Sequence, residues 1–360
     1  MKLMNPGPVT LTARVRGAMQ REDLCHREPD FAALLGRVCR RLLDVEPALA
    51  GFVPLVLGGS GTCAVEAMVG TFVPKGGRAL LVDNGVYGER MGAMLTAQGK
   101  DFDRVTSPWT AGVDVAGVHA QLGARAYDAV LAVHHETTTG RRNDVEAIAA
   151  ACAHHGVPLL LDAVSSFGAE AMPTAALAEG LVLAIAATAN KCLHGAPGVC
   201  FVVADERLLA RPSGATSLYL DLGGYRALAT RGFTPFTPPV HALFALDAAL
   251  DEFFDGGGRA ARHARYSALS ARARAGLLDV DVAPLLTAAE SSVCLTAFQL
   301  PRGVGWDALH DACARAGYVV YAGQGALAAT LFRIAVMGDL TTTDVDAVVT
   351  AIARLTPGAP

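Results

Sequence analysis

Six short, unbroken apolar runs separated by stretches of helical spacing constrain this 360-residue chain more than any other feature. The runs are Pro54-Leu-Val-Leu57, Ala79-Leu-Leu-Val82, Ala129-Val-Leu-Ala-Val133, Leu159-Leu-Leu161, Leu181-Val-Leu-Ala-Ile185 and Val199-Cys-Phe-Val-Val203. Their length fits strands. They lack the apolar/polar alternation of a sheet with one wet face, so both faces must be covered. Segments 87–98 and 143–155 between them read as helices, as do 10–20 and 30–45 nearer the start, the latter on the spacing of Leu34, Leu35, Val38, Leu42 and Leu43. Strands alternating with helices predict an α/β fold with a large, mostly parallel sheet. Residues 240–275 read as long helix, with a break at Gly256-Gly-Gly258. Beyond 280 the pattern is strand (Val293–Phe298), helix (305–316), strand (Thr330–Ala335), helix (342–354), a small α+β domain. The expected division is 1–250 and 251–360, with residues 1–20 packing near the small domain, since a chain this long exceeds one small core.

Composition narrows the class. A hydrophobic content of 52% supports a sizeable core. Net charge is −4 with no basic block, which argues against nucleic acid or an anionic membrane as partner. The eight cysteines form no CxxC pair and read as reduced thiols. The opening Met1-Lys-Leu-Met-Asn-Pro-Gly-Pro8 has no apolar signal core, and no apolar run approaches the roughly 20 residues that span a bilayer. A cytoplasmic protein is expected.

Lys191 lies in Thr188-Ala-Asn-Lys-Cys-Leu-His-Gly195, after a run of small apolar residues and with few charges nearby. Asp162 ends the strand Leu159-Leu-Leu161, where ligands bind in open α/β sheets. A lysine able to form a Schiff base and an aspartate able to hold a protonated pyridine nitrogen are the two groups that pyridoxal 5′-phosphate chemistry requires. Asp162 could instead cap a helix. The turn Gly58-Gly-Ser-Gly-Thr62 leads into a helix, so its Ser60, Gly61 and Thr62 could seat the cofactor phosphate; the alternative is an ordinary N-cap. It is neither a Walker loop nor a dinucleotide fingerprint.

Three further groups have two readings each. Tyr87, just past a strand, either stacks on the cofactor ring or fills a loop. His134-His-Glu-Thr-Thr-Thr-Gly140 invites a metal, but HExxH spacing and a further ligand cluster are missing, so no metal is assigned and the hydroxyls and Glu136 are read as lining the site. Arg333, a charge within the apolar strand Leu331–Ala335, needs a partner. That partner is either a carboxylate of its own domain or an acidic group of the substrate.

Taken together, Asn5-Pro-Gly-Pro8, His26-Arg27, Gly59-Ser-Gly-Thr62, Asn84-Gly-Val-Tyr-Gly88, His134–Gly140, Asp162-Ala-Val-Ser-Ser166, Ala189-Asn-Lys-Cys192, Phe236-Thr-Pro-Pro239 and Phe332-Arg-Ile334 resemble the class V, fold type I, aminotransferases along nearly the whole chain. Glu136-Thr-Thr-Thr-Gly140 and Ala189-Asn-Lys-Cys192 are most similar to the branch that transfers the amino group of 2-aminoethylphosphonate to pyruvate. The resemblance implies a fold type I sheet of seven strands and a homodimer with active sites at the subunit interface. Its substrates would be a small-molecule amino donor and a 2-oxo acid acceptor. It implies that Lys191 forms the Schiff base and then moves the proton, and that Asp162 binds the pyridine nitrogen. Tyr87 stacks on the ring, which Thr138 and Val164 line. Ser60, Gly61, Thr62 and Asn190 hold the phosphate, Thr237 reaches the phosphate of the partner subunit, and Arg333 binds the acidic group. Two other readings share the fold: an alanine– or serine–glyoxylate aminotransferase, and a lyase of the cysteine desulfurase type. The lyase would need a mobile, exposed thiol, which neither Cys294 nor Cys313 resembles, since they fall in an apparent strand and helix.

Overall fold

A computed structural model of the chain describes residues 1–356. Seven strands form one sheet: β1 (Val53–Gly59), β2 (Arg78–Asp83), β3 (Asp101–Thr106), β4 (Ala129–Val133), β5 (Leu159–Asp162), β6 (Leu183–Thr188) and β7 (Gly198–Ala204), in the order β1-β7-β6-β5-β4-β2-β3. β7 runs antiparallel to both its neighbours, and the other four pairings are parallel.

Both faces of the sheet are covered, as the unbroken apolar runs require. One face contributes Leu80, Val130, Leu161, Ile185 and Phe201 to a core shared with helices Pro29–Asp44 and Val145–His155. The alternate residues Leu81, Leu131, Leu160, Ala186 and Val202 pack on the other face, beneath α1 (Gly61–Phe72) and α2 (Val86–Ala97). Phe201 is fully buried, and its truncation to alanine would cost roughly 3–5 kcal/mol.

β3 escaped the sequence reading because it is an edge strand. Val105 is its one buried residue, and Asp103 faces Arg78, Arg125 and Tyr127. Such charge protects an open edge but removes the apolar signal. The strand expected at 181–185 starts two residues later and runs to Thr188. The long helical stretch is two helices, α3 (Val240–Asp255) and α4 (Gly258–Leu278), joined through Gly257 at φ +93°. α3 runs unbroken across residue 250 and buries Leu250 and Phe253 in the core of the large sheet.

A second sheet is antiparallel: β8 (Leu295–Gln299), β9 (Tyr321–Ala322) and β10 (Leu331–Ala335), with β10 in the middle. It shares a core with α4, the helix Trp306–Arg315 and α5 (Thr342–Ala353). The chain start joins this unit. Lys2–Leu3 pairs in parallel with Tyr318–Val319, Met4 and Val9 enter its core, and the Ala335 N–H donates to the Met4 carbonyl at 2.8 Å. Among the described residues no helix is long and apolar enough to cross a membrane.

Asp344 ties the chain start to the last helix. It closes a capping box with Thr341 and accepts from Lys2 Nζ at 2.7 Å and Tyr318 Oη at 2.9 Å. Burial by itself would raise its carboxyl; the bonds from Lys2, Thr341 and Tyr318 outweigh it and hold the group at about 2, below an ordinary 3.8. A depressed carboxyl contributes stability above its ordinary value and loses it as pH falls through the folded one. Asp344→Asn is therefore expected to lower unfolding stability at neutral pH by on the order of 2 kcal/mol. In urea titrations that gap should close between about pH 4 and pH 2; a gap independent of pH would assign the effect to packing.

Candidate active site

The C-terminal ends of the parallel strands and the turns beyond them converge on one recess. Gly61, Thr62, Tyr87, Asp162 and Val164 line it together, with Arg90 alongside. Asp162, the last residue of β5, is 6% exposed, and its Oδ1 accepts the Val164 N–H at 2.9 Å. Burial raises its carboxyl, offset in part by the Val164 N–H and by the charges of Lys191 and Arg90.

Lys191 occupies the turn between β6 and β7. Its Nζ donates to Ser165 Oγ at 2.7 Å and lies 5.8 Å from the centre of the Tyr87 ring. The opening Asn5-Pro-Gly-Pro8 segment passes directly over it: a Cβ at Gly7, whose φ is +126°, would stand 3.2 Å from Lys191 Cγ and Cε. Asn190 Oδ1 accepts from Thr188 Oγ1 at 2.8 Å.

Ser60 stands at the N-cap of α1, yet its side chain makes no capping bond. Ser60 and Thr62 are exposed. The Cys63 and Ala64 N–H groups bond to the Ser60 carbonyl, while those of Gly61 and Thr62 have no backbone partner among the described residues. Two free N–H groups and two free hydroxyls at the start of a 12-residue helix suit a phosphate better than the ordinary cap does. Gly61 is required by the fit: a Cβ there would lie 2.5 Å from Val164 Cγ1.

Glu136 holds the Tyr87 turn. It is fully buried; Oε1 accepts the Thr138 N–H at 3.1 Å and Oγ1 at 2.6 Å, and Oε2 accepts the Tyr87 N–H at 3.1 Å. Thr138 Oγ1 in turn accepts the Val86 N–H at 3.3 Å. Burial raises the Glu136 carboxyl, against those bonds. Arg90 lies 4.8 Å from the Tyr87 ring centre. His134 and His135 are buried behind this layer; burial takes His134 down to about 4, and His135 Nδ1 is 2.9 Å from the Ser165 carbonyl. Among the described residues no three His, Cys, Asp or Glu side chains group as a metal site.

Arg333, on β10, is 5% exposed. Its Nε donates to the Ala322 carbonyl at 2.9 Å, and its Nη1 donates to the Thr137 carbonyl at 3.0 Å and to Gln324 Oε1 at 3.2 Å. All three acceptors are neutral. Among the described residues no carboxylate pairs with it, so the structural ion pair open to the sequence is not formed. Burial pulls its guanidinium below the usual arginine range.

Thr237 stands apart from the recess. It is exposed, and the segment that carries it packs near β1, with Pro239 Cδ 3.1 Å from a Cβ placed at Gly58. Ser165 and Gln324 were not singled out by the sequence. Ser165 sits inside the quoted Asp162–Ser166 string, where its hydroxyl was a legible signal; Gln324 lies in an irregular segment with none. Cys294 falls one residue before β8 and Cys313 within the helix Trp306–Arg315; both are buried, with their thiols pushed up by burial. Neither is an exposed nucleophile.

The class-V aminotransferase model matches residues 59–348. The chain belongs to the class-V aminotransferase family. It is a pyridoxal-phosphate-dependent aminotransferase acting on small molecules, and its fold is that of the fold type I enzymes. A 2-aminoethylphosphonate–pyruvate transaminase of Burkholderia pseudomallei (strain 1106a) is 38% identical over 358 residues, covering 97% of this chain and 95% of that protein. A protein of the same name from Burkholderia ambifaria (strain MC40-6) is 36% identical over 357 residues, covering 98% and 94%. A subgroup IV aspartate aminotransferase from Thermus thermophilus superposes with a TM-score of 0.88 at 26% identity, covering 99% of this chain and all of that one.

The recess fits the cofactor this family uses. A buried carboxyl disfavoured as an anion is a receptor for a charged ring N–H, and the bare start of α1 is a receptor for a phosphate. A carboxyl raised in the folded state costs stability once pH climbs past its ordinary value. Asp162→Asn should therefore raise the melting temperature of the cofactor-free protein at neutral pH, while weakening cofactor retention after dialysis. The melting gap should vanish below the ordinary carboxylate range; a destabilised cofactor-free variant at neutral pH would show that Asp162 has a stabilising partner within the chain.

Proposed function

We propose that this enzyme transfers the amino group of 2-aminoethylphosphonate to pyruvate, giving phosphonoacetaldehyde and alanine, or runs the same exchange in reverse. Arg333 carries the reading. It is a buried cation whose protein partners are all neutral, placed beside the layer of Thr137 and Glu136 that holds Tyr87. A cation so placed calls for an acidic group from outside the chain. The Burkholderia relatives, similar over nearly their whole length, support a phosphonate as that acid.

Bound pyridoxal 5′-phosphate supplies an electron-withdrawing ring next to the amine-bearing carbon of the substrate. Lys191 Nζ is the amine that would hold the cofactor and, when free, the group placed to serve as base toward that carbon. Ser165 Oγ, at 2.7 Å, holds the freed Nζ within reach. Asp162 would keep the proton on the ring nitrogen. Tyr87 and Val164 would flank its ring, and Glu136 fixes the backbone of Tyr87 and Thr138 beside the recess. Ser60, Gly61, Thr62 and Asn190 take the phosphate. The segment near Gly7 lies over Lys191 and keeps bulk water from its stem.

Thr237, exposed and without a hydrogen bond inside its own chain among the described residues, is assigned to the phosphate bound by a second copy in a homodimer. Thr237→Ala is expected to speed cofactor loss from the dimer on dialysis; a monomer that retains a full complement of cofactor would refute the sharing.

The decisive experiment mixes the cofactor-loaded enzyme with 2-aminoethylphosphonate, alanine or serine and follows loss of its visible absorbance. Rapid loss with 2-aminoethylphosphonate, restored by pyruvate, is the expected result. Arg333→Ala should raise KM for the acidic substrates by about a hundredfold or more, as for a lost charge-assisted pair, and leave cofactor binding nearly intact. Conversion by alanine or serine alone would move the enzyme to glyoxylate chemistry.

A further inference from the structure

Cys63 and Cys200 meet where α1 begins. Cys63 is the third residue of α1, and Cys200 lies on β7, opposite Leu57 of β1 and diagonal to Gly59. The point that a Cβ at Gly59 would occupy is 2.7 Å from Cys63 Sγ and 3.5 Å from Cys200 Sγ. Glycine at 59 therefore leaves the space beside the two sulfurs clear of any side chain. The Cys63 thiol donates to the Gly58 carbonyl at 3.9 Å.

The two thiols are unequal. Cys63 is half-buried, whereas Cys200 is fully buried. Donation from the Cys200 thiol lowers Cys63 below an ordinary cysteine, against its own partial burial. The same bond, together with burial, raises Cys200. The start of a helix also favours a thiolate over a thiol. One sulfur is thus an accessible nucleophile, and its neighbour is a protonated thiol held in reserve. A second close pair, Cys192 and Cys294 at 3.6 Å, lacks this division, since both are shut away from solvent. Cys25 is exposed.

We infer that Cys63 and Cys200 form a site of reversible oxidation, in which hydrogen peroxide oxidises Cys63 and Cys200 closes a disulfide with it. None of the groups involved is assigned to substrate or cofactor, so the site stands apart from the transamination reading. In the first step the Cys63 thiolate attacks peroxide: an S–O bond forms, the O–O bond breaks, and the departing hydroxide takes the proton that Cys63 gave up, leaving water and a sulfenic acid. In the second, the Cys200 sulfur attacks that of Cys63: the S–S bond forms, the S–O bond breaks, and the hydroxide leaves with the Cys200 proton as a second water. Two thiols are oxidised by two electrons in all, and one peroxide is reduced to two waters. The bridge fastens the first turn of α1, which carries Thr62, to β7. It also takes Cys63 out of reach of further, irreversible oxidation.

The test treats the cofactor-loaded enzyme with hydrogen peroxide, blocks remaining thiols, and maps the cysteines by mass spectrometry without reduction. The expected result is loss of two thiols and a cross-linked peptide that joins residues 63 and 200, both reversed by dithiothreitol. Cys63→Ser should abolish the cross-link. Cys200→Ala should abolish it too, and should leave on Cys63 a sulfenic acid that dimedone captures, followed by sulfinic acid. The inference is overturned if Cys63 stays a thiol at a peroxide dose that oxidises exposed Cys25. It is equally overturned if wild-type Cys63 passes to sulfinic acid while Cys200 stays free, or if the bridge joins Cys192 and Cys294 instead. The wild-type map decides between these outcomes whether or not the variants fold.

Discussion

Burying most of Asp162 at the end of a central strand obliges the surrounding structure to answer a carboxylate largely withdrawn from water. The chain supplies only part of the answer: the Val164 N–H at 2.9 Å, and the charges of Lys191 and Arg90 at longer range. The rest is left unanswered within the chain, which is what the proposed pairing with a cationic ring nitrogen would supply. The other features of the recess follow from this arrangement. Val164, which donates to Asp162, is also the side chain against which α1 begins, and only glycine at 61 lets the helix come that close. The start of α1 and the position of Asp162 are thereby set by a single contact.

The second constraint is the placement of Arg333. Arg333 belongs to the small sheet, but one of its carbonyl partners, Thr137, belongs to the loop after β4 in the large sheet. The same loop supplies Glu136, which fixes Tyr87, and Thr138. A buried cation therefore bridges the two sheets and lands beside the turn that carries Tyr87. The chain start completes the enclosure, since Lys2–Leu3 and Met4 join the small sheet before Gly7 crosses over Lys191.

Much of this was legible in the residues. The unbroken apolar runs implied a sheet covered on both faces, because only burial on both sides tolerates Leu159-Leu-Leu161. Asp162 at a strand end and Lys191 after small residues implied the chemistry. Other elements were hidden for physical reasons. The edge strand at 101–106 is polar because one of its sides has no neighbour to bury against. The N-cap reading of Ser60 and the ion-pair reading of Arg333 were both open until the absence, among the described residues, of a capping bond and of a carboxylate partner, respectively, closed them.

The sequence by itself determined the layered α/β plan and the family, since these depend on local hydrophobic period and on residue type at fixed places in the chain. Only the tertiary structure decided which groups meet. Ser165 touches Lys191 across 26 positions, and Arg333 reaches Thr137 across 196. The Gly325 backbone is fitted to Trp109, more than 200 positions earlier in the chain. Contacts of that range leave no local pattern; they arise from how the two sheets dock, which depends on the packing of all the side chains between them.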